Sequence, residues 1–272
     1  MEKFVEFSQY AKVNLSLNVV GVKDGFHLLE MVMAPINLSD FVRMSLREDG
    51  EITVTYLTGE HYANDNALRS AKLIQQRYSL PGVDIEISKG VPEGVGLGGS
   101  AVDSAAIARG YEMLCNVEMD NEFLLSLGGD VPFLKYGKPA IVRGRGEIIT
   151  PIELKDLHLA LAYGNRPFST KEIFETYDKV GGKNSTTAER FLSTYKPQNA
   201  LEKSAFRKYP FAVLTTKLGF IRSGFKRVVM TGAGAGFISF EEDEKKFEKL
   251  FKKLNKKIFK GVKLQRLTII KE

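Results

Sequence analysis

Over the first sixty residues, apolar and polar positions alternate in three stretches, "EFSQYAKVNLSLNVVG", "SDFVRMSLRE" and "EITVTYL", separated by Gly, Asp and Asn. Period-two alternation bounded by turn-forming residues predicts three strands. "NALRSAKLIQQRY" follows Asn64 and Asp65, residues that cap helix starts, so a helix is predicted over 66–78. "GVDIEISKGV" alternates like a half-buried strand and runs directly into "VPEGVGLGGSAVDSAA" at 91–106, a glycine cluster leading into small residues. The pattern here is strand, glycine loop, helix.

Farther on, "DNEFLLSLG" reads as a helix, "GDVP" as a loop, and "AIVRGRGEIIT" as two strands turning near Gly144 and Gly146. Around Pro151 the pattern restarts with a strand, "LHLALAYG", which sets a boundary near 152 and predicts two domains, 1–152 and 153–272. The second part alternates between classes: a helix in "STKEIFETYDKV", a polar stretch "GGKNSTTAER", a helix near 200–207, the strand-rich "KRVVMTGAGAGFISF", a basic helix and a last strand, "VKLQRLTII". This mixture predicts an α+β protein without internal repeats.

Composition narrows the class. With 43% hydrophobic and 26% charged residues over 272 positions, the chain has the make-up of a globular protein with room for two cores. No apolar run approaches the roughly 20 residues needed to span a bilayer, and charges interrupt the N-terminus, so a cytoplasmic protein without membrane contact is expected. Cys115 is the single cysteine, which excludes an intrachain disulfide and a cysteine-based zinc site; its place late in a helix suits a buried, inert thiol. His27, His61 and His158 are scattered and suggest no metal site. The net charge of +6 suits an anionic small molecule or nucleic acid equally. Much of the excess lies in "EEDEKKFEKLFKKLNKKIFKG", where Phe247, Leu250, Phe251, Leu254 and Ile258 recur at helical spacing, the pattern of an amphipathic helix with a solvated basic face.

The glycine loop has a physical logic. Glycines permit close backbone approach, and the amides of a following helix N-terminus point at an anion. Neither common template fits, because no Lys-Ser/Thr follows and no Gly-x-Gly-x-x-Gly is present, so spacing alone leaves phosphate binding and a structural turn both open. A second cluster, "TGAGAGF" at 231–237, leads into strand-like sequence, unlike a dinucleotide fingerprint, yet it makes two anion-type glycine loops in one chain.

"PEGVGLGGSA" resembles the Pro-x-x-x-Gly-Leu-x-Ser-Ser-Ala motif of the GHMP kinase superfamily, and "MTGAGAGFISF" resembles its C-terminal glycine motif. "AKVNLSLNVVGVKDGFHLL", "GGDVPFLKYGKPAIVRGRGE", "STKEIF" and "QNALEK" occur in family order across nearly the whole chain and are most similar to the branch acting on a cytidine diphosphate methylerythritol. The resemblance implies a two-domain GHMP kinase fold, an N-terminal ribosomal protein S5 domain 2-like part and a C-terminal ferredoxin-like α/β plait. It also implies an ATP- and Mg2+-dependent phosphotransferase of isoprenoid biosynthesis, with a small-molecule partner, no nucleic acid, and either a monomer or a homodimer. By residue, it implies catalysis by Lys12 and Asp130, the latter as general base. Asn14 matches a substrate-contacting asparagine, and Phe26 with His27 matches the Tyr-His pair that recognises cytosine. Thr170 and Phe174 fall where the second domain closes that pocket. The nucleotide region would comprise Asn66, Lys89 and the loop Pro92, Glu93, Gly94, Val95, Gly96, Leu97, Gly98, Gly99, Ser100, Ala101 and Val102.

From the residues alone, Lys12 reads first as a strand-edge lysine, Phe26 as core and His27 as a surface residue, and Asp130 also fits a turn residue before Pro. Two departures from the family matter. Ala101 and Val102 replace its tandem serines, leaving Ser100 or Ser104 to supply a hydroxyl, and Phe26 replaces tyrosine, keeping the ring and losing the hydroxyl. A kinase for mevalonate or homoserine, a non-catalytic nucleotide-binding protein and a nucleic-acid binder stay as alternatives. The Asp24-Gly25-Phe26-His27 stretch speaks against the first.

Overall fold

The computed structural model describes residues 4–58, 66–182, 184 and 187–271. Strands β1 (Phe4–Lys23) and β2 (Phe26–Arg47) form one long antiparallel hairpin, with Lys12 opposite Pro35 and Asn14 opposite Met33. The two linking residues, Asp24 and Gly25, have φ of 52° and 78°, the positive pair that a tight Asp-Gly hairpin turn requires. Half of β2 is invisible to an alternation rule. Met31, Val32, Met33, Ala34 and Ile36 are all buried, so both faces of the strand are apolar and period two is lost.

Next come β3 (Ile52–Thr58), α1 (Asn66–Tyr78), β4 (Gly82–Ser88), α2 (Gly99–Cys115), α3 (Asn121–Leu127), α4 (Val131–Tyr136), β5 (Ala140–Gly144) and β6 (Ile148–Pro151). The expected caps of α1, Asn64 and Asp65, lie outside the described residues, as does His61. The "GDVP" loop is instead the start of α4: Asp130 takes the N-cap position and Pro132 sits in the first turn, where its missing N–H costs nothing. Helices α1 and α2 cover one face of the first sheet through small residues, Ala67 and Ala71 meeting Ala105 and Ala108 in a shared core.

The chain then builds β7 (His158–Gly164), α5 (Thr170–Val180), α6 (Ala188–Thr194), β8 (Gln198–Asn199), α7 (Glu202–Lys208), α8 (Pro210–Ser223), β9 (Val228–Met230), β10 (Gly236–Glu241), α9 (Glu244–Lys257) and β11 (Val262–Thr268). The first sheet runs β3-β4-β2-β1-β8 with β5 and β6 branching from β2, and the second, antiparallel throughout, runs β11-β7-β10-β9. Two helices escape the sequence pattern. In α6, Thr187 caps the start by accepting from the Arg190 amide inside a stretch that reads as polar loop. Along α8, Phe211, Leu214 and Ile221 are exposed while Val213 and Phe220 are buried, so no single apolar face stands out. Helix α9 is amphipathic as expected, Phe247, Leu250 and Leu254 facing inward. Cys115 ends α2 half-buried, where burial pushes its thiol up and keeps it unreactive. No helix among the described residues is long and apolar enough to cross a membrane.

Both cores draw on both parts of the chain. Leu159, Leu161 and Phe240 belong with Val13, Val32 and Leu97, while Leu17, Met33 and Phe133 belong with Ala160, Phe220 and Phe237. The tightest junction is between the two glycine loops. Amides of Ala235 and Gly236 donate to the carbonyls of Gly94 and Val95, each at 2.9 Å, and a Cβ on Gly96 would stand 1.8 Å from the Thr231 carbonyl oxygen. A Cβ on Gly234 would stand 2.0 Å from the Gly96 nitrogen. Gly234→Ala is therefore expected to cost about 3 kcal/mol or more, because backbone must move. Gly50→Ala, at a left-handed φ of 77° but with nothing within 4 Å, should cost only about 1–2 kcal/mol. Urea denaturation of the two variants checks the difference.

Candidate active site

The middle of β1, the N-termini of α2 and α4, the β1–β2 hairpin tip and α5 surround one cavity of about 760 Å³. Lys12 and Asn14, two residues apart on β1, project to the same side. The Lys12 side chain is only 4% exposed, and its ammonium needs acceptors there. Nζ donates to Asn14 Oδ1 at 2.6 Å and lies 3.2 Å from Asp130 Oδ2. The edge-lysine reading of Lys12 is thus displaced by a buried, paired lysine. Asp130 is held by backbone: a Cβ on Gly146 would lie 1.9 Å from the Gly129 carbonyl oxygen, so the β5–β6 turn presses directly on the Gly128-Gly129 pair ahead of it.

At the other end lies the start of α2. Gly98, at φ 80°, takes its N-cap position, and the first intrahelical bond runs from the Val102 amide to the Gly98 carbonyl at 2.8 Å. The amides of Gly99, Ser100 and Ala101 precede that bond, and no acidic residue lies in the first turn to oppose a bound anion. Asn66, Glu93, Gly94, Gly96, Gly98, Gly99, Ser100 and Ala101 line the cavity, whereas Val95, Leu97 and Val102 are buried in the core and Pro92 does not reach it. Burial pushes the Glu93 carboxyl upward. Ser100 is exposed at the cavity, while Ser104, one turn deeper, accepts a hydrogen bond from the Ser70 hydroxyl at 2.8 Å. Ser104 also lines the cavity, so Ser100 offers a hydroxyl in the first turn of α2 and Ser104 one a turn deeper.

Lys89 does not line the cavity but lies beneath the start of α2, its Nζ 3.5 Å from the Gly99 carbonyl. Nζ donates to Asp40 Oδ2 at 2.6 Å and to Asp103 Oδ1 at 2.8 Å, with all three side chains nearly or fully buried. Asp40 Oδ1 also accepts from the amides of Gly90 and Val91. This charge cluster braces the entry and exit of the glycine loop from beneath. Burial pushes the Asp103 carboxyl upward against the downward pull of Lys89. The second glycine cluster divides its amides: those of Gly234, Ala235 and Gly236 are spent on Thr231, Gly94 and Val95, while Gly232 and Ala233 line the cavity.

The hairpin tip and α5 form the remaining wall. Phe26 and His27 line it from the hairpin, Thr170, Lys171 and Phe174 from α5, where Ser169 caps the helix by accepting from the Glu172 amide. The His27 ring lies 4.8 Å from the Phe174 ring, and its Nε2 is 2.7 Å from Asp178 Oδ1. The Arg145 guanidinium sits 3.7 Å over the Phe26 ring. Sequence reasoning missed Arg145 and Lys171; the signal was a cation inside each of two quoted segments, "VRGRGE" and "STKEIF".

The family model for the GHMP kinases' N-terminal domain matches residues 65–138. A relative from Methylacidiphilum infernorum, named 4-diphosphocytidyl-2-C-methyl-D-erythritol kinase, is 34% identical over 87% of this chain and 86% of its own length. One of the same name from Ligilactobacillus salivarius is 35% identical over 82% and 84%. A solved 4-(cytidine 5'-diphospho)-2C-methyl-D-erythritol kinase superposes with TM-score 0.78 at 26% identity, covering 97% of this chain and 99% of that one. A homoserine kinase from Cytophaga hutchinsonii shares the fold, with TM-score 0.68 at 15% identity over 99% and 96%. The chain is a GHMP kinase and has that family's α+β fold. Within it, the chain belongs to the 4-diphosphocytidyl-2-C-methyl-D-erythritol kinases.

Lys89→Met would leave two buried carboxylates without a counter-charge, and is expected to cost about 3–5 kcal/mol in urea denaturation. Adding Asp103→Asn removes one of those charges and should recover part of the loss.

Proposed function

We propose that the protein transfers the γ-phosphoryl group of ATP to the 2-hydroxyl of 4-diphosphocytidyl-2-C-methyl-D-erythritol, a cytoplasmic step of non-mevalonate isoprenoid biosynthesis. The observation that carries the reading is the 3.2 Å contact of Lys12 with Asp130 in a cavity that has a helix N-terminus at one end and an aromatic wall at the other. A phosphoryl donor and an alcohol acceptor need that separation.

Phosphoryl transfer depends on positioning and charge neutralisation. The amides opening α2, with the hydroxyl of Ser100, bind the nucleotide's phosphates and direct the γ-phosphorus toward Asp130. Asp130 takes the proton of the acceptor hydroxyl as that oxygen bonds to phosphorus and the bond to the departing ADP oxygen breaks. Lys12 keeps Asp130 oriented and offsets the negative charge that develops between donor and acceptor. Asn14 in turn fixes the Lys12 ammonium. Glu93 and Ser100 at the cavity are oxygen donors that would hold a hard cation such as magnesium with the phosphates completing its shell, where it would supply further charge neutralisation. Phe26, His27, Phe174 and Thr170 hold the cytidine, with Phe26 and Phe174 offering ring faces. Every group named comes from one chain, so a monomer suffices for the chemistry and a homodimer is compatible with it.

ADP release measured with the cytidine diphosphate alcohol, mevalonate or homoserine should occur only with the first; release with mevalonate or homoserine instead would overturn the substrate assignment. In the same assay Asp130→Asn should lower kcat by about 10²-fold or more, and unchanged turnover would remove Asp130 as the base. Lys12→Met is expected to lower kcat by a similar factor, about 10²–10³-fold, with a smaller effect on KM for ATP.

A further inference from the structure

His27 is gripped by one face of α5. Phe174, Tyr177 and Asp178 lie at i, i+3 and i+4 on that helix and meet the imidazole together. Phe174 packs at 4.8 Å, Tyr177 presents its edge at 5.9 Å, and Asp178 Oδ1 takes Nε2 at 2.7 Å. The His27 side chain is 16% exposed, so the ring has one orientation, and it lines the cavity. An ionised carboxylate only accepts hydrogen bonds, which obliges Nε2 to carry the proton. In the neutral ring the other nitrogen, Nδ1, is then a lone-pair acceptor, since the hydrogen bond at one nitrogen sets the state of the other. Among the described residues Nδ1 has no hydrogen-bond partner.

We propose that Asp178 is a positioning residue for base selection: by fixing the Nε2–H tautomer it makes His27 an acceptor that fits the exocyclic amino group of cytosine and opposes the 4-oxygen of uracil. The inference rests on the functional reading above, in which the hairpin and α5 hold the cytidine. It assigns a cause to the base preference. A site built around one hydrogen-bond polarity rejects the opposite polarity because two acceptors are left facing each other. Asp178 stands at the exposed rim, 57% accessible, and touches no reacting atom, so its influence passes through the imidazole.

The test pairs calorimetric binding of CDP and UDP with 15N NMR of His27 in the full chain. The unaltered protein should bind CDP at least tenfold tighter than UDP, and its His27 signals should report a neutral ring protonated at Nε2. Asp178→Ala should weaken CDP about tenfold with little change for UDP, so that the preference collapses, and should mix the tautomers. Asp178→Asn, whose amide oxygen still accepts from Nε2, should retain most of the preference, a rescue that loss of packing alone would not give. An unchanged CDP-to-UDP ratio in Asp178→Ala, or a His27 ring that is an imidazolium or protonated at Nδ1 in the unaltered protein, would overturn the proposal. Absence of CDP binding by the unaltered protein would instead overturn the cytidine reading and, with it, the selecting role; the NMR result then stands as a separate statement about the Asp178–His27 pair.

Discussion

The approach of two glycine loops, backbone against backbone, is the constraint on which the site depends. Thr231 makes the junction three-way: its Oγ1 accepts from the Asn14 amide at 2.9 Å and donates to the Gly96 carbonyl at 3.3 Å. Strand β1, the phosphate-end loop and the second sheet are thereby held in one register. The Lys12 amide adds a bond to the Leu97 carbonyl at 3.2 Å. Side chains at Gly96 or Gly234 would separate these layers, and the lysine on β1 would no longer face the same space as the start of α2. Glycine therefore acts here less by freeing backbone for an anion than by letting three backbones meet.

The site's charges follow from that closeness. Lys89, a natural phosphate ligand by type, is neutralised beneath the loop by Asp40 and Asp103, so on the reading proposed above the phosphates would rely on amides and the dipole of a 17-residue helix. Such partial charges are fixed in direction and need no reorganisation during the reaction. Two further side-chain cations line the cavity elsewhere, Arg145 over Phe26 and Lys171 at the start of α5. At this end the chain presents Ser100 in the first turn of α2 and, one turn deeper, Ser104, whose Oγ also accepts from Ser70. The first turn is the position that counts, because only there do hydroxyl and unpaired amides face the same anion.

Elements whose apolar positions face a single core were legible in the sequence. Strand β4, helix α1 and helix α9 have one buried side each, and their periods show it. Where an element is buried on two sides or exposes part of its apolar surface, the period is lost, and this hid the first half of β2 and all of α8. Short α4 and α6 were hidden for another reason: α4 starts within Gly-Asp-Val-Pro, which reads as a turn, and α6 starts at Thr187–Ala188 within a polar run. The site was read through the order of its motifs, since Lys12, Asp130 and Phe26 are each ordinary when taken singly.

Which backbone positions had to be bare, which residue types could supply a base or an acceptor, and which family the chain joins were all determined by the sequence itself, because they depend on residue identity and order. What each charged side chain does was decided only by tertiary structure. Lys12 and Lys89 are both buried strand-derived lysines, yet one reaches Asp130 across 118 positions of sequence and the other is closed off by Asp40 and Asp103. Electrostatic role is set by distance and by exclusion of water, and neither is encoded locally in the chain.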